Sequence, residues 1–262
     1  MDLGLKGKVA LLTGASRGLG FATAKVLAQE GVKLAINSRG EKHLSEAADE
    51  LSQFGVDVIS LPGDVTDPET PQNLVDQTIS AFNGLDLLFT NAGGPPPASF
   101  EDISDPEWEK AVDLSFLSHV RLIRAALPYL KKSSAPAVLT VTSVSVKQPI
   151  PNLVLSNSVR AATAGLTKTL ALELGPEGIR FNSILPSWTH TERVEQLMAD
   201  RADRKGTSVE EEIQAQNAQS PLGRMGTPEE FANAAAFLLS PAASYITGVL
   251  LTVDGGTYKG LI

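Results

Sequence analysis

Seven short, nearly all-apolar runs recur along the chain, at 8–13, 34–38, 57–61, 85–90, 137–141, 179–185 and 249–253. Runs of this length without polar alternation predict strands buried on both faces. Between them lie stretches with apolar residues at helical spacing: 21–30, 47–54, 70–82, 107–130, 159–174 and 229–239. A repeated strand–helix alternation predicts a doubly wound parallel sheet with helices on both faces. Nothing in the pattern marks a second domain, so a single α/β domain is expected across residues 1–262. A chain of that size can bury a substantial core.

The first run enters glycine directly, as Thr13-Gly-Ala-Ser-Arg-Gly-Leu-Gly20. Glycines let the backbone turn sharply and approach a pyrophosphate, while free N–H groups and the positive dipole end of the following helix face the anion. Dinucleotide binding follows as the expectation. The second strand ends in Asn37-Ser38-Arg39 rather than in a carboxylate. An acid there would bond a ribose 2′-hydroxyl, whereas Ser38, Arg39 and Arg17 suit a 2′-phosphate, so NADP(H) is expected before NAD(H).

Composition narrows the partners. Hydrophobic residues make up 42% and charged residues 20%, as in globular proteins, and the net charge of −8 argues against nucleic acid or an anionic membrane. The absence of cysteine excludes disulfides and thiolate catalysis and is compatible with a reducing cytoplasm. No paired His/Glu motif suggests a metal site, and no apolar stretch suggests a signal peptide or membrane span. A cytoplasmic protein with a small-molecule substrate is expected.

With these motifs in place, the chain resembles the short-chain dehydrogenase/reductase family, in particular the branch containing 3-oxoacyl-carrier-protein reductases. The resemblance rests on Thr13 to Gly20, Asp64-Val65, Asn91-Ala92-Gly93-Gly94, Pro186, Thr191, Tyr245-Ile-Thr-Gly248 and Asp254-Gly-Gly256. It implies a Rossmann fold with a helical substrate lid over about 187–226. It also implies phosphate contacts from Gly14, Ser16, Arg17, Gly18, Leu19 and Gly20. Asp64 and Val65 would touch the adenine, Asn91, Ala92 and Gly93 would flank the cofactor, and Pro186 and Thr191 would meet the nicotinamide. Family members assemble as tetramers or dimers through the helices after the fourth and fifth strands. Phe116, Leu117, Leu166 and Leu170 would lie near such a contact or pack on their own sheet.

The catalytic positions depart from the family pattern. Ser143 matches its serine. Thirteen residues later the family tyrosine is replaced by Ser156, and four further on Arg160 stands for lysine. The pattern downstream, through Leu166 to Ala171, holds this alignment, and the chain's tyrosines are elsewhere, at 129, 245 and 258. Asp113 takes the place of the relay asparagine and Ser187 that of a glycine. A phenol with a pKa near 10 can be tuned to exchange protons, but a serine is a far poorer acid and arginine cannot shuttle protons. Arg160 can still supply charge and bind the cofactor ribose. His190 and Lys147 are candidate stand-ins for the acid, and Asp113 is either a relay or a helix-anchoring acceptor. His43 and His119 are expected on helices away from the cleft. Trp188, Leu197 and Met198 suggest an apolar substrate portion.

Three functions stay open. One is an NADP(H)-dependent reductase of a carbonyl, or dehydrogenase of the alcohol, with an atypical site. The second is a reductase of conjugated enoyl or dienoyl thioesters, because 2,4-dienoyl-CoA reductases also carry serine for the tyrosine and aspartate for the asparagine, although they keep the lysine. The third is a cofactor-binding protein without turnover.

Overall fold

Side-chain alternation along the strands sorts the apolar runs onto two faces. A computed structural model describes residues 2–261. Strands β1 (Val9–Leu12), β2 (Lys33–Ser38), β3 (Val58–Pro62), β4 (Leu87–Thr90), β5 (Ala137–Val141), β6 (Arg180–Pro186) and β7 (Leu250–Val253) form one parallel sheet in the order β3-β2-β1-β4-β5-β6-β7. Ala10, Leu12, Leu34 and Ile36 point to one side, where they bury against helices α1 (Gly18–Gln29), α2 (Glu41–Ser52) and α9 (Pro228–Leu239). Val9, Leu11 and Ala35 point to the other, against α3 (Thr70–Phe82), α5 (Ser118–Leu130) and α6 (Val154–Leu174). The expected doubly wound Rossmann-type sheet is therefore the fold. Leu166 and Leu170 pack onto the second face, so each is at least partly used within its own chain.

Three elements differ from the expectation, and the first is α2, which begins at Glu41 rather than at 47. The helix predicted over 107–130 is divided into α4 (Asp105–Val112) and α5 by a π-type turn at Asp113–Leu117. Thr163 Oγ1 donates to the Ser115 carbonyl at 2.6 Å and Ser118 Oγ to the Leu114 carbonyl at 2.6 Å, so side chains satisfy carbonyls within the widened turn. Helix α6 begins at Val154, not 159, because Leu155 and Val159 bury against Ala111 of α4 in a small third cluster. This extension carries Ser156 and Arg160 onto one helix.

The remaining helices, α7 (Glu192–Lys205) and α8 (Val209–Asn217), lie in the segment expected to form the lid. Thr191 and Ser208 cap their N-termini. Arg180, at the start of β6, donates to the carbonyls of Leu238, Leu239 and Ser240 and closes the end of α9. Among the described residues no helix is long and apolar enough to cross a membrane.

Candidate active site

β1 and β4 are neighbours although three crossovers separate them, which makes their carboxyl ends the switch point where open α/β sheets bind ligands. The two ends are tied directly. Thr13 Oγ1 donates to the Asn91 carbonyl at 2.9 Å, the Asn91 N–H returns a bond to Thr13 Oγ1 at 3.0 Å, and Asn91 Nδ2 donates to the Gly14 carbonyl at 3.1 Å. Gly14 has φ +60°, and a Cβ there would lie 2.8 Å from Asn91 Nδ2. At Gly20 a Cβ would come within 2.1 Å of the Gly14 carbonyl oxygen, so the turn admits no side chain on its inner wall. Ser16, Gly18 and Leu19 lie along the same turn, half-buried, and Ala92 packs onto the core beside Asn91.

At the end of β2, Ser38 Oγ is buried without a hydrogen-bond partner. Next to it Arg39 is 79% exposed, its Nη1 3.9 Å from Asp64 Oδ2. The other Asp64 oxygen accepts from the Thr66 N–H and hydroxyl, which holds buried Val65 in its turn. Arg17 does not face this corner: it pairs with Glu192 at the start of α7.

Ser143 follows β5, and its Oγ accepts from the Ser145 N–H at 3.1 Å. Ser156 and Arg160, four apart on α6, share a helix face. Arg160 is 8% exposed. Its guanidinium donates to the carbonyls of Val141 at 3.2 Å, Thr142 at 3.1 Å and Gly93 at 3.4 Å, and so bridges the ends of β5 and β4. Burial, with the nearby Arg193 charge, lowers its pKa to about 10. The loops on the far rim are joined as well: Ala98 N–H donates to the Asn152 carbonyl at 2.9 Å, and Asn157 binds both backbone groups of Ile150.

Other expected residues are placed less simply. Asp113, at the start of the π-type turn, accepts from Arg121 Nη2 at 3.1 Å while Arg121 Nη1 reaches the Thr66 carbonyl, which is the anchoring alternative. His190 is exposed, its backbone N–H bonded to the Gly226 carbonyl. Lys147 Nζ stands 5.3 Å from the centre of the Tyr258 ring. His43 is exposed on α2, but His119 corrects the expectation that it lies away from the cleft: it is buried beside Thr90 at the end of β4, close enough for the Arg160 charge to act on it. Met198 is fully buried and serves packing. Trp188 lines a cavity of about 140 Å³ with Leu222, Arg224 and Val253, and Arg201 stacks over its ring at 4.9 Å. Ser187 Oγ, next to Pro186, is buried and unpartnered. Sequence reasoning missed Arg193, whose Nη2 donates to the Pro95 carbonyl at 3.0 Å. Its place two residues after Thr191 was the available signal.

A family model described as "Enoyl-(Acyl carrier protein) reductase" matches residues 14–258. The human protein "Dehydrogenase/reductase SDR family member 4" is 33% identical, over 97% of this chain and 88% of its own. The chain belongs to the short-chain dehydrogenase/reductase family. Among relatives in the family, the 7alpha-hydroxysteroid dehydrogenase of Escherichia coli is 31% identical over 99% of this chain and 98% of its own. L-sorbose reductase from Gluconobacter frateurii, solved with NADPH and L-sorbose, superposes with a TM-score of 0.95 at 33% identity over the whole of both chains. Membership in this family makes the chain an oxidoreductase by descent.

Proposed function

We propose that this protein is an NADP(H)-dependent oxidoreductase that reduces a carbonyl, or oxidises the corresponding alcohol, without the family's phenolic acid. The observation that carries the reading is the glycine wall at Gly14 and Gly20, kept free of side chains at the switch point while the fold pins it to Asn91. A buried Ser38 hydroxyl without a partner beside exposed Arg39 fits a 2′-phosphate, and this supports NADP(H) over NAD(H). Some solved neighbours were crystallised with NADPH and one with NADH, so the preference rests on these two residues.

The bound nicotinamide would supply hydride. The chain's own residues do the rest. Gly14, Ser16, Arg17, Gly18, Leu19 and Gly20 hold the phosphates, Asp64 and Val65 the adenine, and Asn91, Ala92, Gly93, Pro186 and Thr191 the nicotinamide half. Ser143 and Ser156 hydrogen-bond the reacting oxygen, and buried Arg160 contributes fixed positive charge where negative charge develops. Neither serine is acidic enough to be the ultimate proton source near neutral pH, so the proton is drawn from water through these hydroxyls. Lys147 adds charge at the rim, while exposed His190 is the weaker candidate.

A second reading, reduction of a conjugated alkene, is favoured by Ser156: hydride delivered to carbon leaves charge on a conjugated oxygen, which needs donors more than an acid. The deciding experiment is NADPH oxidation by the purified protein with activated ketones and, in parallel, conjugated enoyl and dienoyl thioesters. Ketone turnover supports the first reading and turnover confined to thioesters the second. Tight NADPH binding without turnover on either set would leave a cofactor-binding protein.

A further inference from the structure

Helix α7 begins against the glycine turn. A Cβ built on Gly18 would lie 3.7 Å from Cγ2 of Thr191, the residue that caps α7. The first turn of α7 is held to the body of the molecule on two sides. Arg193 donates to the Pro95 carbonyl at 3.0 Å, and Glu192 pairs with Arg17. Of the ion pairs among the described residues, Arg17–Glu192 is the one that joins the glycine turn to the lid segment. The two ties differ in kind. Pro95 offers a backbone carbonyl, whereas Arg17 is the N-cap of α1, at the helix end that suits a dinucleotide's phosphates.

We propose that Arg17–Glu192 is a phosphate-released latch: it pins the start of the lid until a phosphate of the dinucleotide takes Arg17 from Glu192 and frees α7 on that side. The inference rests on the reading of the glycine turn as a dinucleotide site and adds a regulation of that site. Magnitudes decide which partner Arg17 keeps. The side chains of Arg17 and Glu192 are 65% and 61% exposed. An ion pair this open to water shifts an equilibrium by at most about fivefold. A charge-assisted, bidentate guanidinium–phosphate contact is worth about tenfold or more, so the phosphate wins the exchange. Glu192 is not stranded by it: the carboxylate is in water, in the first turn of α7, where the positive end of the helix dipole favours it. The competing phosphate is the cofactor's pyrophosphate or its 2′-phosphate, which share this chemistry.

The test follows tryptic cleavage within α7, at Arg193, Arg201, Arg204 and Lys205, by mass spectrometry. The wild type, Glu192→Gln, Arg17→Met and the double variant are each digested alone and with saturating ADP, 2′,5′-ADP or adenosine. In the wild type a phosphate-bearing probe should speed cleavage by about two- to fivefold while adenosine does nothing. Acceleration by ADP assigns the latch to the pyrophosphate, and acceleration by 2′,5′-ADP alone to the 2′-phosphate. Each single variant should be cut that much faster without nucleotide and gain nothing from it, and the double variant should be no faster than either. NADPH titration by nicotinamide fluorescence supplies the second readout. Glu192→Gln frees Arg17 and should tighten NADPH by about two- to fivefold, an effect lost when Arg17→Met is also present. Tightening that persists in the Arg17→Met background would be plain repulsion by the Glu192 carboxylate and overturns the latch. Normal binding with cleavage that no phosphate alters overturns the latch alone. A protein that binds neither NADPH nor either phosphate probe overturns the dinucleotide reading and the latch with it.

Discussion

His119 Nδ1 lies 2.7 Å from Thr90 Oγ1, both buried, with the Arg160 charge near enough to act on the ring. Burial first, and the Arg160 charge second, lower the histidine pKa to about 3, so the ring is neutral in the folded protein. Unfolded, it would take up a proton near 6.5. Between those values the unfolded chain binds the extra proton, so stability falls as pH drops from 6.5 toward 3, with a slope of up to about 1.4 kcal/mol per pH unit, and is unaffected by this group above that range. Urea titrations at pH 7 and pH 5 should show a smaller acid loss for His119→Gln than for the wild type. Equal losses would mean that the ring is already charged in the fold.

Gly20→Ala places a methyl group 2.1 Å from the Gly14 carbonyl. The turn must open, which is expected to cost about 1–3 kcal/mol in stability and to weaken NADPH binding well beyond tenfold. Thermal melting with and without NADPH reads both. A variant that binds NADPH normally would remove the phosphates from this turn.

Arg39→Ala tests the choice between cofactors. Losing a guanidinium beside the buried Ser38 hydroxyl should weaken NADPH by about tenfold or more and leave NADH nearly unchanged. Parallel titrations with the two cofactors check it, and an equal effect on both would dismiss the 2′-phosphate contact.

On the proposed reading, Ser156→Tyr with Arg160→Lys supplies a phenol and a lysine four residues apart on α6. If the missing acid limits the rate, ketone reduction should rise by about 10²–10⁴, with the increase concentrated in kcat. An unchanged kcat would show that the cleft is organised for a different reaction.

Arg180→Met removes the three bonds that close α9 while keeping much of the side-chain volume. Leaving those carbonyls without their charged donor should lower stability by about 1.5–3 kcal/mol, read from the urea midpoint, without changing NADPH affinity. No change in the midpoint would reassign the cap to solvent.

The seven apolar runs and the glycines after the first of them were legible in the amino-acid order, because strand burial and tight turns are local properties. The π-type turn at Asp113 was not, since it arises where Thr163 of a distant helix bonds the Ser115 carbonyl. The same holds for the early start of α6, set by burial of Leu155 and Val159 against α4. At the candidate site the sequence by itself determined which groups are present: Ser143, Ser156 and Arg160, and no acid on β2. Only the tertiary structure decided how they are used. It turned Asp113 toward Arg121, buried neutral His119 against Thr90, and set Arg160 against carbonyls with Arg193 as its neighbour. Residues 93, 141, 160 and 193 meet only when β4, β5, α6 and α7 converge at the carboxyl edge of the sheet, and charge interactions over a few ångströms of desolvated space depend on that convergence rather than on position along the chain.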